Sequence, residues 1–594
     1  MAKFLRYAEY SAQACALLAG TIFLVSALIY LQLGHWQVTH LDYWRIYDIC
    51  LNHSWLESAL LKVNNHSLFF PSFIWLADLR FLHGNQNFIF YVGLVLLTLI
   101  SGILATEIWR DRELNLSRKL AATLIILLGN FWMGRGSILS SGGFNCTASL
   151  SMVASLVACI QLTSMRGGPR QMFKASIVVL TGAFVASFSA SIGLAAWPAL
   201  LFLAWCLRLS WKSLMIVSVG MIIAGVIFFL LPSVTPLGAE VPKALPSLLP
   251  SAVGELCRLL GSPVLSAKLA WMPQSSLASA DVAHSLFSLC FGAVGLLLFV
   301  LIAIYHLVRR NMPRNGAVFV SLALTTVNML IIVLIVAGRT PLIQKIPTEV
   351  AAPRYFYWSS LFWSGLLLYG ISLSTSRNGL SLPVLVMPMA ILGFALPSHY
   401  QEGLRQRYAF CLARSAATGL VVGVHDNRAM AFLFRDPRQV YRVAKELRNR
   451  RLDMFAEGYQ DWIGQKAAII GGNQQQSERI TGRCQAQTVR GENRVVRITG
   501  WVRKAKDNPP EIMLVIDSNG LVQGLARSCS INRTINRIFY LNTFSPFAVA
   551  GYIRDYDPSS TYALRSIKGG KLSEETIAIR PPKPVRGSDE GTNP

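Results

Sequence analysis

Windows of about 20 consecutive apolar residues recur about eleven times along this chain, and that recurrence limits the fold more than any other feature. In lipid, only a helix or a closed barrel satisfies its own backbone hydrogen bonds. The windows fall near residues 13–32, 88–109, 120–134, 146–164, 175–190, 192–208, 213–232, 286–308, 317–337, 354–374 and 380–397. They predict an α-helical polytopic membrane protein. Composition agrees, because only 14% of the 594 residues are charged and 53% are hydrophobic. Soluble domains carry charge on about a quarter of their residues. A net charge of +25 would suggest nucleic acid, but no recognition motif accompanies it, and cytoplasmic loops collect Lys and Arg in any case. The expected partner is the lipid bilayer, with no nucleic acid. The first window follows Lys3 and Arg6 without a small-residue cleavage site, so it reads as a retained helix.

Charge sets the expected orientation. The basic segments 110–119, 166–174, 208–212 and 306–314 fall on the same side as the N-terminus, which the positive-inside tendency makes cytoplasmic. The opposite side then receives 33–87, 135–145, the turn near 190, 233–285, 338–353 and everything after 397. This predicts a multi-pass protein of the bacterial inner membrane with a periplasmic C-terminal region. In that region 398–467 is amphipathic and helical in pattern, whereas RVVRITGWV, EIMLVID and RIFYL alternate as strands do, separated by DNPP and DSNG. The expected division is a transmembrane part (1–400), a helical connector (401–480), a β-sandwich-like domain (481–582) and a disordered tail (583–594). Ten cysteines show no CxxC or metal-type spacing. Cys484 and Cys529 both lie in the tail region, where export would permit them to pair.

Polar residues placed beside lipid are costly and point to function. The first external loop is the most loaded, with Asp42, Asp48, Glu57, the run Asn64–Asn65–His66, and Asp78. Asp42 and Asp78 are flanked by aromatic and aliphatic residues. Such surroundings raise a carboxyl's proton affinity and suit a general base. Asp78 pairing with Arg80 or Arg45 is the equal alternative. His66 has no second His or carboxylate at ligand spacing, so no metal ligands are assigned. Three further segments stand out: GNFWMGRGSILSSGGFN with Asn130 and Arg135, SFSASIGLAAWPALL with Ser187 and Ser189, and GRTPLIQKIPTEVAAPRYFYWSSLFW with Arg339, Arg354 and Tyr355. Such arginines either snorkel toward headgroups or form a fork for phosphate.

Taken in order, these segments run as an Asp-aromatic loop, an Asn/His run before a proline, an apolar stretch bearing Asp, Asn-aromatic-Trp, Ser-x-Gly-Leu-x-x-Trp-Pro, and Gly-Arg with a later Arg-Tyr. The succession resembles bacterial GT-C-type polytopic membrane glycosyltransferases, which take sugar from a polyprenyl-phosphate carrier on the periplasmic face. Among these it is most similar to proteins with an eleven-helix core and a periplasmic β domain, associated with arabinofuranosyl transfer onto surface structures including type IV pilin. The resemblance spans roughly 10–400 and the VYRVAKELRNRRLDMF stretch.

It implies catalytic roles for Asp42 and Asp78, and substrate-binding roles for Asp48, Asn65, His66, Asn130, Ser189, Arg339, Arg354 and Tyr355. It implies a polyprenyl-phosphate sugar as donor and a periplasmic protein or glycan as acceptor. No cofactor is assigned, and a divalent cation is left open. The chain departs from the family pattern where Tyr43 and Trp44 follow Asp42, where Asn65 and Ser67 replace an acid and a base, and at Ile192. The reading requires Asp42, Asp78, Arg339 and Arg354 to share an outer-leaflet cavity. Trp44, Trp132, Trp197 and Phe356 are expected in the interfacial aromatic belt, with sugar stacking as the alternative. A lipid-linked sugar transporter would instead show broken mid-membrane helices and internal repeats, neither of which is visible. A non-catalytic envelope assembly protein is the other rival.

Overall fold

The computed structural model describes residues 2–234, 245–272, 285–309, 316–373, 381–471, 475–476, 480–504, 512–529, 549–568 and 571–582. The expected disordered tail 583–594 and the RIFYL segment lie outside the described residues. The chain divides into two compact units. The larger comprises Met1–His35, His53–Ala77 and Asn87–Gln406; the smaller comprises Trp36–Asn52, Asp78–Gln86 and Arg407–Pro594.

Among the described residues, nine helices are long and apolar enough to cross a membrane: Arg6–Gly34, Asn87–Arg110, Leu116–Leu139, Gly142–Arg166, Pro169–Ser189, Trp211–Leu230, Leu286–Arg309, Gly316–Lys345 and Leu382–Val422. The two remaining predicted windows correspond to the shorter apolar helix Ser191–Cys206 and to Phe356–Leu373. Phe356–Leu373 carries buried Ser359, Ser360, Ser364 and Ser372. Its neighbours rather than lipid cover most of its surface, so hydroxyls can replace apolar atoms there. Small residues set the helix spacing, as expected where lipid tails compete for apolar contact. A Cβ on Gly365 would lie 2.8 Å from the backbone nitrogen of Thr325.

Two features differ from the sequence reading. The segment 233–285, expected as an external loop, contains the 25-residue helix Leu245–Leu269. Glu255, Arg258, Lys268 and three prolines interrupt its apolar run, which hides it from a hydropathy window. It packs closely on Leu286–Arg309, where a Cβ on Gly292 would fall 1.7 Å from the Cys257 carbonyl oxygen. The helix expected to end at 397 instead continues as Ser381–Val422 with Pro388 and Pro397 inside it.

The β region of the smaller unit comprises β1 Gln475–Gln476, β2 Ile480–Val489, β3 Glu492–Lys504, β4 Ile512–Asp517, β5 Val522–Ser528, β6 Val549–Ile553, β7 Tyr562–Lys568, β8 Lys571–Ser573 and β9 Ile577–Arg580. The expectation was a two-sheet sandwich. The pairing order is β7-β4-β5-β6-β3-β2-β9, and β9 also pairs with β7, so the ladder returns on itself as a closed ring. Closure removes exposed strand edges. Alternate residues point inward to form its core, among them Ile480, Cys484, Ala486, Val496, Ile498, Val502, Met513 and Val515. On the outer face, the Tyr552 hydroxyl donates to Asp426 at 3.0 Å, and Arg497 pairs with the same buried carboxylate. Cys484 is thus a core residue, whereas Cys529 lies against Cys411. The two tail cysteines considered as a pair are not partners.

Candidate functional site

In the smaller unit, the first-loop acids divide sharply by environment. Asp48 accepts from Arg442 in a surface ion pair and from Asn52 at 3.2 Å. Asp78 pairs with neither Arg80 nor Arg45. Its Oδ2 accepts from the Tyr47 hydroxyl at 3.5 Å and from the Gln86 amide at 3.3 Å, while Arg45 lies over the Phe434 ring. Asp42 precedes the helix Tyr43–Asn52, and its backbone carbonyl accepts from the amides of Arg45 and Ile46. Its half-buried carboxylate has no hydrogen-bond or ion-pair partner among the described residues.

Beside Asp78 stands a carboxylate that the sequence reading did not single out. Asp453 adopts a positive φ of 52° and its amide donates to the His83 carbonyl. Its Oδ2 accepts from the Thr39 amide at 3.0 Å and from the Thr39 hydroxyl. One oxygen of each acid, Oδ1 of Asp78 and Oδ1 of Asp453, is buried and unpartnered. Burial raises the Asp78 carboxyl to about 6. Burial, with the charge of Asp78 added, raises Asp453 to about 7. Burial and the same two acids push the Tyr47 hydroxyl upward. The only sequence signal for Asp453 was its position in RRLDMF, an acid between basic and apolar residues.

This pair makes stability depend on pH. Both acids hold their protons more tightly folded than unfolded, so the folded state loses stability as pH rises from about 4 through about 7. His40 acts oppositely, because burial lowers it to about 4 and favours folding as pH rises toward 6.5. Asp453→Asn isolates the acid's contribution. Relative to wild type, the variant should gain stability across that interval and hold a constant advantage of about 2–4 kcal/mol above it. Thermal unfolding of the two proteins at pH 5 and pH 8 measures the gap; an equal gap at both would remove Asp453 from the titration.

The larger unit carries the predicted site residues Asn65, His66, Arg339 and Arg354. Asn64 and Asn65 take positive φ values of 51° and 61°, and Val63 and His66 exchange both backbone hydrogen bonds across them. The Asn-Asn pair supplies the left-handed turn of a tight hairpin, which presents His66. The His66 Nδ1 hydrogen bonds the Ser191 hydroxyl. Burial and the neighbouring Arg339 guanidinium lower His66 to about 4, so its ring is neutral near pH 7. Arg339 is half-buried near the C-terminal end of Gly316–Lys345, with no hydrogen-bond or ion-pair partner among the described residues. Asn65 accepts from Ser233 at 3.3 Å. Lys62, in the same hairpin, donates to the Phe228 carbonyl at 3.0 Å.

Other predicted residues lie elsewhere in this unit. Ser189 donates to the Val185 carbonyl of its own helix; the hydroxyl that meets His66 comes two residues later. Arg354 is ion-paired with Glu349 and stacks 4.9 Å over Tyr355. Asn130 bonds the Ile126 carbonyl through Nδ2, leaving its Oδ1 buried without a partner, as is the Tyr355 hydroxyl. Arg135 is fully buried, 4.4 Å from the Tyr357 ring centre, and donates to the Asn130 carbonyl. Thus Asp42 and Asp78 belong to the smaller unit, and Arg339 and Arg354 to the larger. Among the described residues, no group of three or more His, Cys, Asp or Glu is arranged to hold a metal ion.

No family model and no curated protein matches this chain. Similar solved structures include the archaeal oligosaccharyltransferase AglB from Archaeoglobus fulgidus, in complex with an inhibitory peptide and a dolichol-phosphate. It is 13% identical, with a TM-score of 0.33, over 70% of this chain and 59% of that one. ArnT from Cupriavidus metallidurans, bound to undecaprenyl phosphate, is 14% identical with a TM-score of 0.32, over 71% of this chain and 85% of that one. The chain therefore spans about three fifths of the length of AglB. Similarity at this level assigns no role to any residue here.

Proposed function

We propose that this protein is a membrane glycosyltransferase that moves a sugar from a polyprenyl-phosphate carrier to a periplasmic acceptor. The sugar proposed is arabinofuranose, and the acceptor a pilin or a surface glycan. The observation that carries the reading is the Asp42 carboxylate. Three of the four first-loop acids have assigned partners: Asp48 with Arg442, Asp78 with Tyr47 and Gln86, and Glu57 in the capping box of Trp55–Leu60. Asp42 alone has none among the described residues. A carboxylate left unengaged beside buried Tyr43 and Trp44 is available to a substrate proton.

In this reaction the acceptor hydroxyl attacks the anomeric carbon while Asp42 takes its proton. The bond from that carbon to the phosphate oxygen breaks, and the phosphate leaves on its lipid. One displacement inverts the anomeric centre, through a transition state with oxocarbenium character. Negative charge develops on the leaving phosphate, and Arg339 is proposed to meet it through charge-assisted hydrogen bonds. Neutral His66 and Asn65 would orient sugar hydroxyls. Asp78, whose Oδ2 already accepts from Tyr47 and Gln86, suits a positioning role better than that of base. Asp48 and Arg354 are already ion-paired and need no part in the step.

The test is transfer by purified protein in vesicles carrying a polyprenyl-phosphate pentose, with pilin as acceptor. Intact mass should show pilin gaining one sugar residue. Movement of the lipid-linked sugar across the bilayer without any gain by the acceptor would replace this reading with that of a transporter.

A further inference from the structure

We propose that Cys411 and Cys529 are a disulfide-forming pair, oxidised when the C-terminal region folds outside the cytoplasm. The proposal does not rest on the sugar-transfer reading, and neither residue takes part in it. Both cysteines belong to the smaller unit. Cys411 stands on Ser381–Val422, and Cys529 directly follows β5. They are buried together with Phe410. Their side chains pack in one cluster, and each sulfur lies 3.9 Å from the other residue's carbonyl oxygen.

The separation of 118 residues conceals this pair from any spacing rule. A thiol is a weak donor and a weak acceptor, so the long contacts that each thiol makes to the other residue's carbonyl oxygen contribute little. A covalent bond would use the same space and would close a long loop, tying the end of β5 to the helix. Cys411 also lies beyond the apolar part of that helix. It is roughly 14 residues past Pro397, about 21 Å of helix, in a stretch that includes Glu402, Arg405, Arg407 and Arg414. The charges of that stretch suit water rather than lipid.

The charges around the pair bear on when the bond forms. Arg407 and Arg414 lie 4.7 Å and 5.8 Å over the Phe410 ring, and Arg407 donates to the Cys529 carbonyl at 2.9 Å. Nearby guanidinium groups favour a thiolate. Contact with Cys411, together with burial, outweighs them and holds the Cys529 thiol well above its ordinary range. The closed pocket is therefore not a reactive redox couple, and the bond is made during folding, before burial is complete. One thiolate attacks the disulfide of an oxidised dithiol-disulfide donor protein and forms a mixed disulfide. The second thiolate displaces the donor sulfur. The donor leaves as a dithiol, carrying the two electrons and, after protonation, the two protons that the cysteines lost.

Full-length protein extracted from membranes under acid quench tests this. Free thiols are alkylated in denaturant, the sample is reduced, and the newly exposed thiols receive a heavier reagent. Cys411 and Cys529 should carry only the heavier label, and their peptides should run joined before reduction. Cys411→Ser should expose Cys529 to the first reagent and lower the thermal midpoint by several degrees. Reduction of the wild type should produce the same drop, so the result does not hang on one variant's folding. Light labelling of both residues in the wild type, or Cys529 joined to Cys484, overturns the proposal.

Discussion

Asp42→Asn should reduce sugar transfer by about 10²–10⁴-fold, the usual range for loss of a positioned general base, while leaving the protein as stable as the wild type. Both halves follow from one observation. Among the described residues the Asp42 carboxylate has no partner to lose, so replacing it with an amide breaks no native interaction. The backbone carbonyl that accepts from Arg45 and Ile46 is unchanged. An amide of the same shape cannot accept the acceptor's proton. The loss should appear in kcat, with the KM for lipid-linked sugar little changed, because removing a group used in the transition state leaves ground-state binding intact. Transfer within threefold of wild type, at equal expression and equal thermal midpoint, would exclude Asp42 as the base.

Arg339→Gln should cost about 30–150-fold in transfer, equivalent to about 2–3 kcal/mol, the value of a charge-assisted hydrogen bond to a developing anion. Arg339→Lys should recover part of the loss, because it restores the charge without the two-pronged geometry. His66 gives a second readout independent of turnover. Arg339 is one of the two causes that lower it to about 4, so removing the guanidinium should raise its proton affinity, with burial still holding it below the ordinary histidine range. A histidine titration unchanged by Arg339→Gln would show that the two groups do not interact, and the phosphate role would lose its geometric basis. A transfer loss with an altered His66 titration is the expected combination.

The departures from the sequence reading have identifiable physical causes. Leu245–Leu269 escaped notice because Glu255, Arg258 and prolines dilute its hydropathy, whereas its stability comes from close packing that glycines permit. Ser189 was singled out although Ser191 meets His66. Both lie in the same serine-rich turn, and only the local backbone decides which hydroxyl faces outward. Arg354 looked equivalent to Arg339 as a surface arginine. Its pairing with Glu349 distinguishes them, and spacing alone could not.

By itself the sequence determined the class of fold and its membrane setting. Apolar length and alternation are properties of short windows, and lipid admits few ways to satisfy the backbone of such windows. All eleven apolar stretches correspond to helices, and the alternating region from 490 contributes to a β-rich domain. Only the tertiary structure decided which polar residues are engaged and which are left free. Asp453 beside Asp78, Cys529 against Cys411, and Asp426 shared by Arg497 and Tyr552 join positions far apart in the chain. A carboxylate's proton affinity or a thiol's partner is set by the few ångströms of matter around it, and only folding brings that matter there.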